Sequence, residues 1–552
     1  MPAKSLVAEI LRYEAEIPDK PAFIFLGNKG RRTVLSYSEV SCLSQKFAAR
    51  LRALGVTRGD VVCNILPTSP ERLITHLGTI MAGAVSMNGQ ICRSDGSDFV
   101  TSLNDGQAKA IIYDPNNTSG AYETLKQRAN HCGQTENRFA GLETPWLQKM
   151  IPCVLKSHKT TGKCLMEELE DAPDKLCEDN GPDSVCVLVC TSGSTGRFKL
   201  FPYTSQYIMD GSLEVCRAGD IHRMSVLFND KPLGWIGGLP SFELAVGCTR
   251  VTVDETVPRG KDYLRYVAEA LRQEKCTAMI TIPSFLESLV KESTTDNHKD
   301  AYLMRSVLIF GAPVAQKVQK CIGTVTKSLT IIYGSTETYA LSAITLTSSH
   351  GEYTDFLCGR PLEGSELRIV DSNMEDVPAG CIGDILLRKP GPCLRYINND
   401  KANKQTFLPG GWISLGDRGF LDEAGQIFVL GRGSQAINRG DDIIYPGQLE
   451  APLLQCPGLA EVLVVGVPDE ALMEEVCGLL VRSPEAGDEI NEEYVRRFCR
   501  ENLFVIPENA EFDPMPKYFR FVDAIPKLKT GKADVAAARQ LAIRLINNPE
   551  GR

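Results

Sequence analysis

VCVLVCTSGSTGRFK (residues 185–199) is an apolar run that leads directly into a loop of small hydroxyl and glycine residues and ends on a lysine. The apolar half predicts a buried strand. Glycine lets backbone N–H groups approach a ligand closely, and Ser and Thr hydroxyls add donors, so such a loop can hold phosphate oxygens. The G-x-x-x-x-G-K-[ST] spacing of a Walker loop is absent. Taken alone the segment also fits a flexible surface turn, so its meaning depends on the rest of the chain.

Helix and strand patterns alternate on both sides of this segment. Residues 36–55 have apolar positions at helical spacing and end on Gly55, where a helix stop is expected, and residues 60–69 follow as a strand. The alternation recurs over residues 261–293 and 304–314. Such alternation predicts doubly wound sheets of parallel strands, with ligands at the carboxyl ends of the strands.

The pattern changes after about residue 355. Residues 359–391 form short alternating runs broken by Gly and Pro, which predicts antiparallel β structure. Residues 449–482 read as a helix, a strand, a turn and a second strand, which is typical of a small α+β domain.

Bulk composition excludes several classes of protein. A chain of 552 residues is too long for one core, and 43% hydrophobic with 23% charged residues is ordinary for a soluble protein without a membrane span. A net charge of −9 without a Lys/Arg tract argues against nucleic acid as a partner. Neither terminus resembles a targeting signal, so cytoplasm is the default expectation and mitochondria are left open. The oligomeric state is left undetermined.

Nineteen cysteines are scattered along the chain. Only Cys186 and Cys190 lie close together, and their even spacing in a predicted strand places both on one face. Without C-x-x-C pairs or nearby histidines, we expect reduced core thiols rather than a zinc site.

Three further motifs accompany the first loop. The predicted strand 328–333 runs into GSTET (334–338), which places a carboxylate beyond a strand end. Residues 410–432 contain Asp417 between nearby glycines and close on a Gly-Arg pair. IPKLKTGKADV (525–535) places Lys532 after a Thr-Gly turn. A lone carboxylate at a strand end is usually solvated, so the weight of each motif comes from the others.

The four blocks, in this order, resemble the adenylate-forming superfamily of acyl-CoA synthetases, nonribosomal adenylation domains and luciferases. The resemblance runs from LSYSEV and GVTRGDVV near the N-terminus to the last lysine block. It implies an α/β fold: a large N-terminal domain (1–431) with two doubly wound sheets and a small β-barrel-like region, a hinge (432–434), and a small mobile α+β lid domain (435–552).

The resemblance also implies a reaction. ATP activates a carboxylic acid as an acyl-adenylate, and the acyl group then passes to coenzyme A with release of AMP. The implied catalytic groups are Lys532 on the reacting phosphate, Thr336 on the α-phosphate and Glu337 on Mg²⁺. The implied ATP contacts are the phosphate loop (Thr191, Ser192, Gly193, Ser194, Thr195, Gly196, Lys199), the adenine turn (Gly311, Ala312, Pro313), the strand end (Tyr333, Gly334, Ser335) that includes a tyrosine near the adenine, Asp417 on the ribose hydroxyls and Arg432 on ribose or phosphate.

Residues 229–247 resemble the G-W segment of short- and medium-chain acyl-CoA synthetases. The resemblance implies that Trp235, Gly237 and Gly238 shape the acyl pocket, although a tryptophan in such a run is also typical of plain core. Gly440 is expected beside pantetheine.

Two departures from the family pattern stand out. The hinge position is Ser434 instead of Asp or Lys, which puts the usual control of domain rotation in doubt. Phe198 stands where Pro is usual, and we expect it to alter the rate of pyrophosphate release.

Three functions are therefore considered. The first is an AMP-forming acid–thiol ligase acting on a short- or medium-chain fatty acid or an aromatic acid, with ATP, Mg²⁺ and CoA. The second is a stand-alone adenylating enzyme or a luciferase-like oxidase with another acceptor. The third is a weakly catalytic nucleotide-binding regulator.

Overall fold

The computed structural model describes residues 5–89, 97–117, 144–191, 199–260, 262–295, 302–312, 314, 316–392, 394–440, 442–484, 486–502, 515–527 and 533–547. Within these ranges no helix is long and apolar enough to cross a lipid bilayer.

The strands in chain order are β1 (Pro21–Leu26), β2 (Arg32–Ser36), β3 (Val61–Asn64), β4 (Val85–Asn88), β5 (Ala110–Tyr113), β6 (Lys149–Pro152), β7 (Val185–Thr191), β8 (Lys199–Thr204), β9 (Val226–Phe228), β10 (Thr249–Val253), β11 (Ala278–Thr281), β12 (Met304–Ile309), β13 (Thr326–Ser335), β14 (Tyr339–Thr347), β15 (Arg360–Pro361), β16 (Glu366–Val370), β17 (Gly383–Arg388), β18 (Ile413–Leu421), β19 (Ile427–Arg432), β20 (Ile437–Arg439), β21 (Asp442–Ile444), β22 (Leu459–Asp469), β23 (Met473–Arg482) and β24 (Tyr518–Phe521).

The α-helices are α1 (Leu6–Glu16), α2 (Tyr37–Ala53), α3 (Pro70–Met81), α4 (Ser97–Asp105), α5 (Leu165–Asp171), α6 (Ser205–Ala218), α7 (Ser241–Val246), α8 (Tyr263–Gln273), α9 (Pro283–Thr295), α10 (Asp400–Thr406), α11 (Pro446–Leu453), α12 (Glu492–Asn502) and α13 (Val535–Asn547).

Two large sheets carry the N-terminal part of the chain. The first has the order β6-β5-β3-β4-β7-β8, and only β8 runs antiparallel to its neighbour. The second has the order β15-β14-β13-β12-β11-β9-β10-β1-β2, in which the strands from β13 to β1 are parallel. The predicted doubly wound α/β architecture is confirmed, and it aligns the carboxyl ends of these parallel strands for ligand binding.

The antiparallel region predicted after residue 355 is a four-stranded sheet with the order β16-β17-β18-β19. The chain then enters a five-stranded sheet in which β24 joins the series β21-β20-β23-β22. The change from one sheet to the other falls between Arg432 and Ile437. The predicted hinge at 432–434 lies at the start of this interval, and its role as a hinge stays a prediction.

Local signals account for the boundaries of α2. The Ser36 hydroxyl accepts a hydrogen bond from the Glu39 amide, and the Glu39 carboxylate accepts one from the Ser36 amide, so the two residues form a capping box. At the other end Gly55 adopts φ +78°, a left-handed conformation that favours glycine and stops the helix. Both ends could therefore be read from the sequence.

The predicted common face of Cys186 and Cys190 is wrong. Cys186 packs in the large core with Val187 and Val189, whereas Cys190 packs with Leu188 in a separate core. The pairing of β7 with β8 shifts register between Val185 and Val187, and such an irregularity breaks the alternation of faces on which the prediction relied. The sixteen cysteines in the described ranges are free of disulfide bonds.

Candidate active site

The centre of the site is a carboxylate held between two sheets. Asp417 on β18 lies opposite Arg432 on β19, and the Arg432 Nε contacts the Asp417 Oδ1 at 2.9 Å. Tyr333, on β13 of the nine-stranded sheet, donates its hydroxyl to the Asp417 Oδ2 at 2.7 Å. Burial raises the pKa of Tyr333 well above its ordinary value, and the Asp417 charge adds to that effect, so the phenol stays a donor. The Asp417 carboxylate is thus oriented from two sides beside the exposed Arg432.

The GSTET segment (334–338) forms the end of β13 and the turn after it, and contacts within the segment and with Tyr339 fix its shape. A side chain at Gly334 would place its Cβ only 1.7 Å from the Tyr339 carbonyl oxygen, so this position requires glycine. The Ser335 hydroxyl accepts a hydrogen bond from the Glu337 amide at 3.1 Å. The turn therefore presents Thr336 and Glu337 at a defined place beyond the strand.

Two tyrosines from neighbouring elements donate hydrogen bonds to the backbone of the same turn. Tyr203, on β8, donates its hydroxyl to the Thr336 carbonyl oxygen, and Tyr207, on α6, donates its hydroxyl to the Glu337 carbonyl oxygen at 3.0 Å. Thr204 between them caps α6 by accepting from the Tyr207 amide at 3.2 Å. The first sheet thus positions a turn that belongs to the second.

Glu337 is buried, with 8% of its surface exposed, and its Oε1 accepts a hydrogen bond from the Tyr396 hydroxyl. The Lys199 ammonium nitrogen lies 4.6 Å from the centre of the Tyr396 ring. Burial lowers the pKa of Lys199, the Glu337 charge opposes that shift, and the Arg432 charge adds to it. The charges of Glu337 and Arg432 therefore both act on the Lys199 ammonium group.

Sequence reasoning did not find Tyr203, Tyr207 or Tyr396. Tyr203 and Tyr207 are four residues apart next to a motif residue, which is a weak signal that could have been noticed. Tyr396 lies in an irregular stretch, and nothing in its neighbourhood indicates that it contacts Glu337.

The other predicted nucleotide residues are partly described. Thr191 and Lys199 lie opposite each other in the pairing of β7 with β8, so they bracket the predicted phosphate loop. Gly311 and Ala312 are exposed and follow β12 after one intervening residue, with Gly311 at φ +86°. Ser192, Gly193, Ser194, Thr195, Gly196, Phe198, Pro313 and Lys532 lie outside the described residues.

The predicted acyl-pocket residues lie in a tightly packed loop after β9. Trp235 is half-buried. A Cβ at Gly237 would lie 2.5 Å from the ring of Phe310, the residue that precedes Gly311. A Cβ at Gly238 would lie 2.0 Å from the Pro232 carbonyl oxygen, so Gly238 is required by the backbone of the loop. The loop is therefore packed against the start of the predicted adenine turn.

Arg250 fixes the backbone of this loop through hydrogen bonds. Its guanidinium is fully buried and donates to the carbonyl oxygens of Asn229 at 3.0 Å, Gly238 at 2.6 Å and Lys231 at 2.9 Å. Glu243 is its carboxylate partner, at 3.7 Å. One side chain thus ties together both ends of the segment that carries Trp235.

The residues predicted for domain rotation and thiol access lie further along the chain. Ser434 is exposed in a short 3₁₀ turn over Gly433–Gln435. Gly440 has φ +62°, and its amide donates to the Leu472 carbonyl oxygen at 2.8 Å. The Arg418 Nε donates to the Tyr445 hydroxyl at 3.0 Å, so the four-stranded sheet contacts the start of α11.

The oxygen atoms available at Glu337 and Thr336 are of the kind that coordinates a magnesium ion. Mg²⁺ keeps several waters and is bound through one or two carboxylates together with substrate phosphates. Glu337 offers one buried carboxylate and Thr336 a neighbouring hydroxyl. The described ranges contain no group of three or more His, Cys, Asp or Glu that could hold a metal ion. Such a site would need further ligands from the phosphates of the nucleotide and from water.

Comparisons with known proteins identify the family of the chain. Residues 12–397 match the model of the AMP-binding enzyme family, and residues 448–532 match the model of the AMP-binding enzyme C-terminal domain. A probable CoA ligase, CCL9 of Humulus lupulus, is 26% identical over 537 residues, which cover 96% of this chain and 94% of the relative. The indoleacetate–CoA ligase of Aromatoleum aromaticum is 26% identical over 515 residues, which cover 92% of this chain and 94% of the relative.

Among solved structures, the anthranilate CoA ligase AuaEII in complex with anthranoyl-AMP superposes with a TM-score of 0.81. The superposition covers 99% of both chains at 21% identity, so it supports the fold.

Proposed function

Because this chain belongs to the AMP-binding enzyme family, we propose that it activates an aromatic carboxylic acid with ATP and transfers the acyl group to coenzyme A. The chain is an acid–thiol ligase of the AMP-forming class, with ATP and CoA as co-substrates and Mg²⁺ as its metal. The identity of the acid and the roles of single residues are the proposed part.

The observation that carries the proposal is the meeting of separate motifs at one place. Lys199 belongs to the first motif, Glu337 to the second, and Asp417 and Arg432 to the third. Tyr333 joins Asp417 to the strand that leads into the Glu337 turn, and Lys199 responds to the charges of both Glu337 and Arg432. A ribose acceptor, a phosphate cation and a metal ligand in one cluster are what a nucleotide requires.

The first step joins the acid to the nucleotide. A carboxylate oxygen of the acid attacks the α-phosphorus of ATP, a P–O bond forms, the bond to the β-phosphate oxygen breaks, and pyrophosphate leaves. Asp417 accepts the ribose hydroxyls, since it is already oriented by Tyr333 and Arg432. Lys199 faces the leaving phosphates, and bound Mg²⁺ neutralises their charge. Lys532 supplies the further cation at the reacting phosphate.

The second step transfers the acyl group. The sulfur of CoA attacks the acyl carbon, a thioester bond forms, the bond from acyl carbon to phosphate oxygen breaks, and AMP leaves. Gly440 leaves room for pantetheine because its exposed position lacks a side chain.

The loop proposed to shape the acyl pocket is held in place by its neighbours. Gly237 lies against the Phe310 ring, and Arg250 donates to three carbonyl oxygens of the loop. The choice of an aromatic acid is supported by the name of a relative. One of the relatives is named for an aromatic acid, indoleacetate.

The test is ATP–pyrophosphate exchange with matched panels of aromatic and short- to medium-chain fatty acids, followed by addition of CoA. We expect exchange with aromatic acids and formation of the corresponding CoA thioester. Exchange with fatty acids alone would refute the acid class but keep the ligase. Exchange without a CoA product would favour a different acceptor or adenylate oxidation, and ATP binding without any exchange would favour a regulator.

A further inference from the structure

Tyr396 makes two contacts that meet at the nucleotide site. Its hydroxyl donates to the Glu337 Oε1, and its ring face receives the Lys199 ammonium at 4.6 Å. Burial raises the pKa of Tyr396, and the Glu337 charge raises it further, so the hydroxyl keeps its proton. One side chain therefore contacts the predicted metal ligand and the predicted phosphate cation together.

The position of Tyr396 is itself rigid. The Asn403 side chain accepts from the Tyr396 amide at 2.8 Å and donates to the Tyr396 carbonyl oxygen at 2.9 Å. The ring packs against Phe407 and Phe201, with centroid distances of 5.4 Å and 6.0 Å. A phenol held from three sides has a fixed direction for its O–H bond, and that direction is imposed on the carboxylate that accepts it.

We propose that Tyr396 is the positioning residue that orients Glu337 toward the metal bound with ATP and, through its ring, holds Lys199 toward the phosphates. The hydroxyl occupies Oε1, which would leave the second oxygen, Oε2, as the metal-binding atom. Hydrogen bonds to metal ligands fix ligand orientation, and their loss typically costs about 10- to 100-fold in metal affinity or activity. The inference rests on the proposed use of ATP at this site.

The two contacts can be separated by substitution. Tyr396→Phe removes the hydroxyl and keeps the ring under Lys199. Tyr396→Leu removes both contacts. Tyr302→Phe is the matched control, because it also removes a phenol hydroxyl, but one that donates to the Cys276 carbonyl oxygen at the amino ends of the strands, away from the site.

The measurement is the dissociation constant of ATP by calorimetry, once with Mg²⁺ and once with EDTA. For Tyr396→Phe we expect affinity about tenfold weaker with Mg²⁺ and within about twofold of wild type in EDTA. Tyr396→Leu should weaken binding under both conditions, because Lys199 also loses its support. Tyr302→Phe should change neither. A loss of equal size with and without Mg²⁺ in Tyr396→Phe, or no loss, would overturn the proposal.

A double-mutant cycle with Glu337→Gln tests whether Tyr396 acts through Glu337. If it does, the double variant Glu337→Gln/Tyr396→Phe should bind Mg–ATP no more weakly than Glu337→Gln alone. Additive losses would show that Tyr396 acts by another route. Failure of wild type to bind ATP at all would refute the proposed function instead, so the two failures are distinguishable. Melting temperatures of all variants identify any that do not fold.

Discussion

At the scale of single residues, Asp417 gives the most direct test of nucleotide binding. Asp417→Asn keeps the size of the side chain and removes the charge that pairs with Arg432. Hydrogen bonds to a charged group contribute about 1.5 to 3 kcal/mol, so ATP affinity should fall about 10- to 100-fold. Calorimetry with ATP measures the loss.

The matched control for Asp417→Asn is Asp422→Asn in the turn of the same β-hairpin. Asp422 accepts a hydrogen bond from the Gln426 amide at 2.7 Å and lies beyond the end of β18. This variant should bind ATP as wild type does. Equal losses in the two variants would indicate damage to the hairpin and contradict a ribose-binding role for Asp417.

Arg250 offers a second prediction at this scale. Arg250→Met leaves three loop carbonyls without their donor and leaves the fully buried Glu243 without its cation. Removing one partner of a buried ion pair typically costs about 3 to 5 kcal/mol of unfolding free energy. Urea unfolding should detect this loss, and Arg250→Met/Glu243→Gln should recover part of it. A loss no larger than that of a surface substitution would contradict the structural role of Arg250.

At the scale of elements, α11 contains a carboxylate whose ionisation opposes folding. Burial raises the pKa of Glu450 from 4.5 to about 7, while its Oε1 accepts from the Val464 amide of β22 at 2.8 Å. Between these pH values the folded chain holds a proton that the unfolded chain releases, so the free energy of unfolding falls as pH rises from 4.5 to 7. Above pH 7 the loss stays constant.

Glu450→Gln should remove this dependence, since the amide oxygen still accepts from Val464 but carries no charge. We expect the stability advantage of the variant over wild type to grow by about 2 to 3 kcal/mol between pH 5 and pH 8. Urea unfolding of both proteins at the two pH values measures it. An advantage of the same size at both pH values would mean that Glu450 does not titrate in this range.

Helix α2 and strand β7 differ in how well their features can be predicted from local sequence. The ends of α2 could be predicted because Ser36, Glu39 and Gly55 act on their own neighbours in the chain. The faces of Cys186 and Cys190 could not, because a bulge in β7 arises from its pairing with β8, and that pairing is not visible in the spacing of one strand.

At the scale of the whole molecule, loss of Lys532 should affect the adenylation step and spare the thioester-forming step. Lys532→Ala should lower acid-dependent ATP–pyrophosphate exchange on the order of a hundredfold, the scale typical for loss of a preorganised charge-stabilising group. If the lid domain rotates between steps, thioester formation from a supplied acyl-adenylate and CoA should continue at a rate near that of wild type. An equal loss in both half-reactions would contradict two separate arrangements of the lid.

The alternation of helix and strand patterns was enough to predict the α/β class. The four sequence blocks were enough to identify the resemblance that implied the family and an ATP-dependent acid–thiol ligase, because each block lies within a few consecutive positions. The clustering of Lys199, Glu337, Asp417 and Arg432, and the tyrosines that orient them, required the folded chain. Tyr396 is 59 residues from Glu337 and Tyr333 is 84 from Asp417. Such contacts depend on how separate sheets pack against each other, and a local pattern carries no information about that packing.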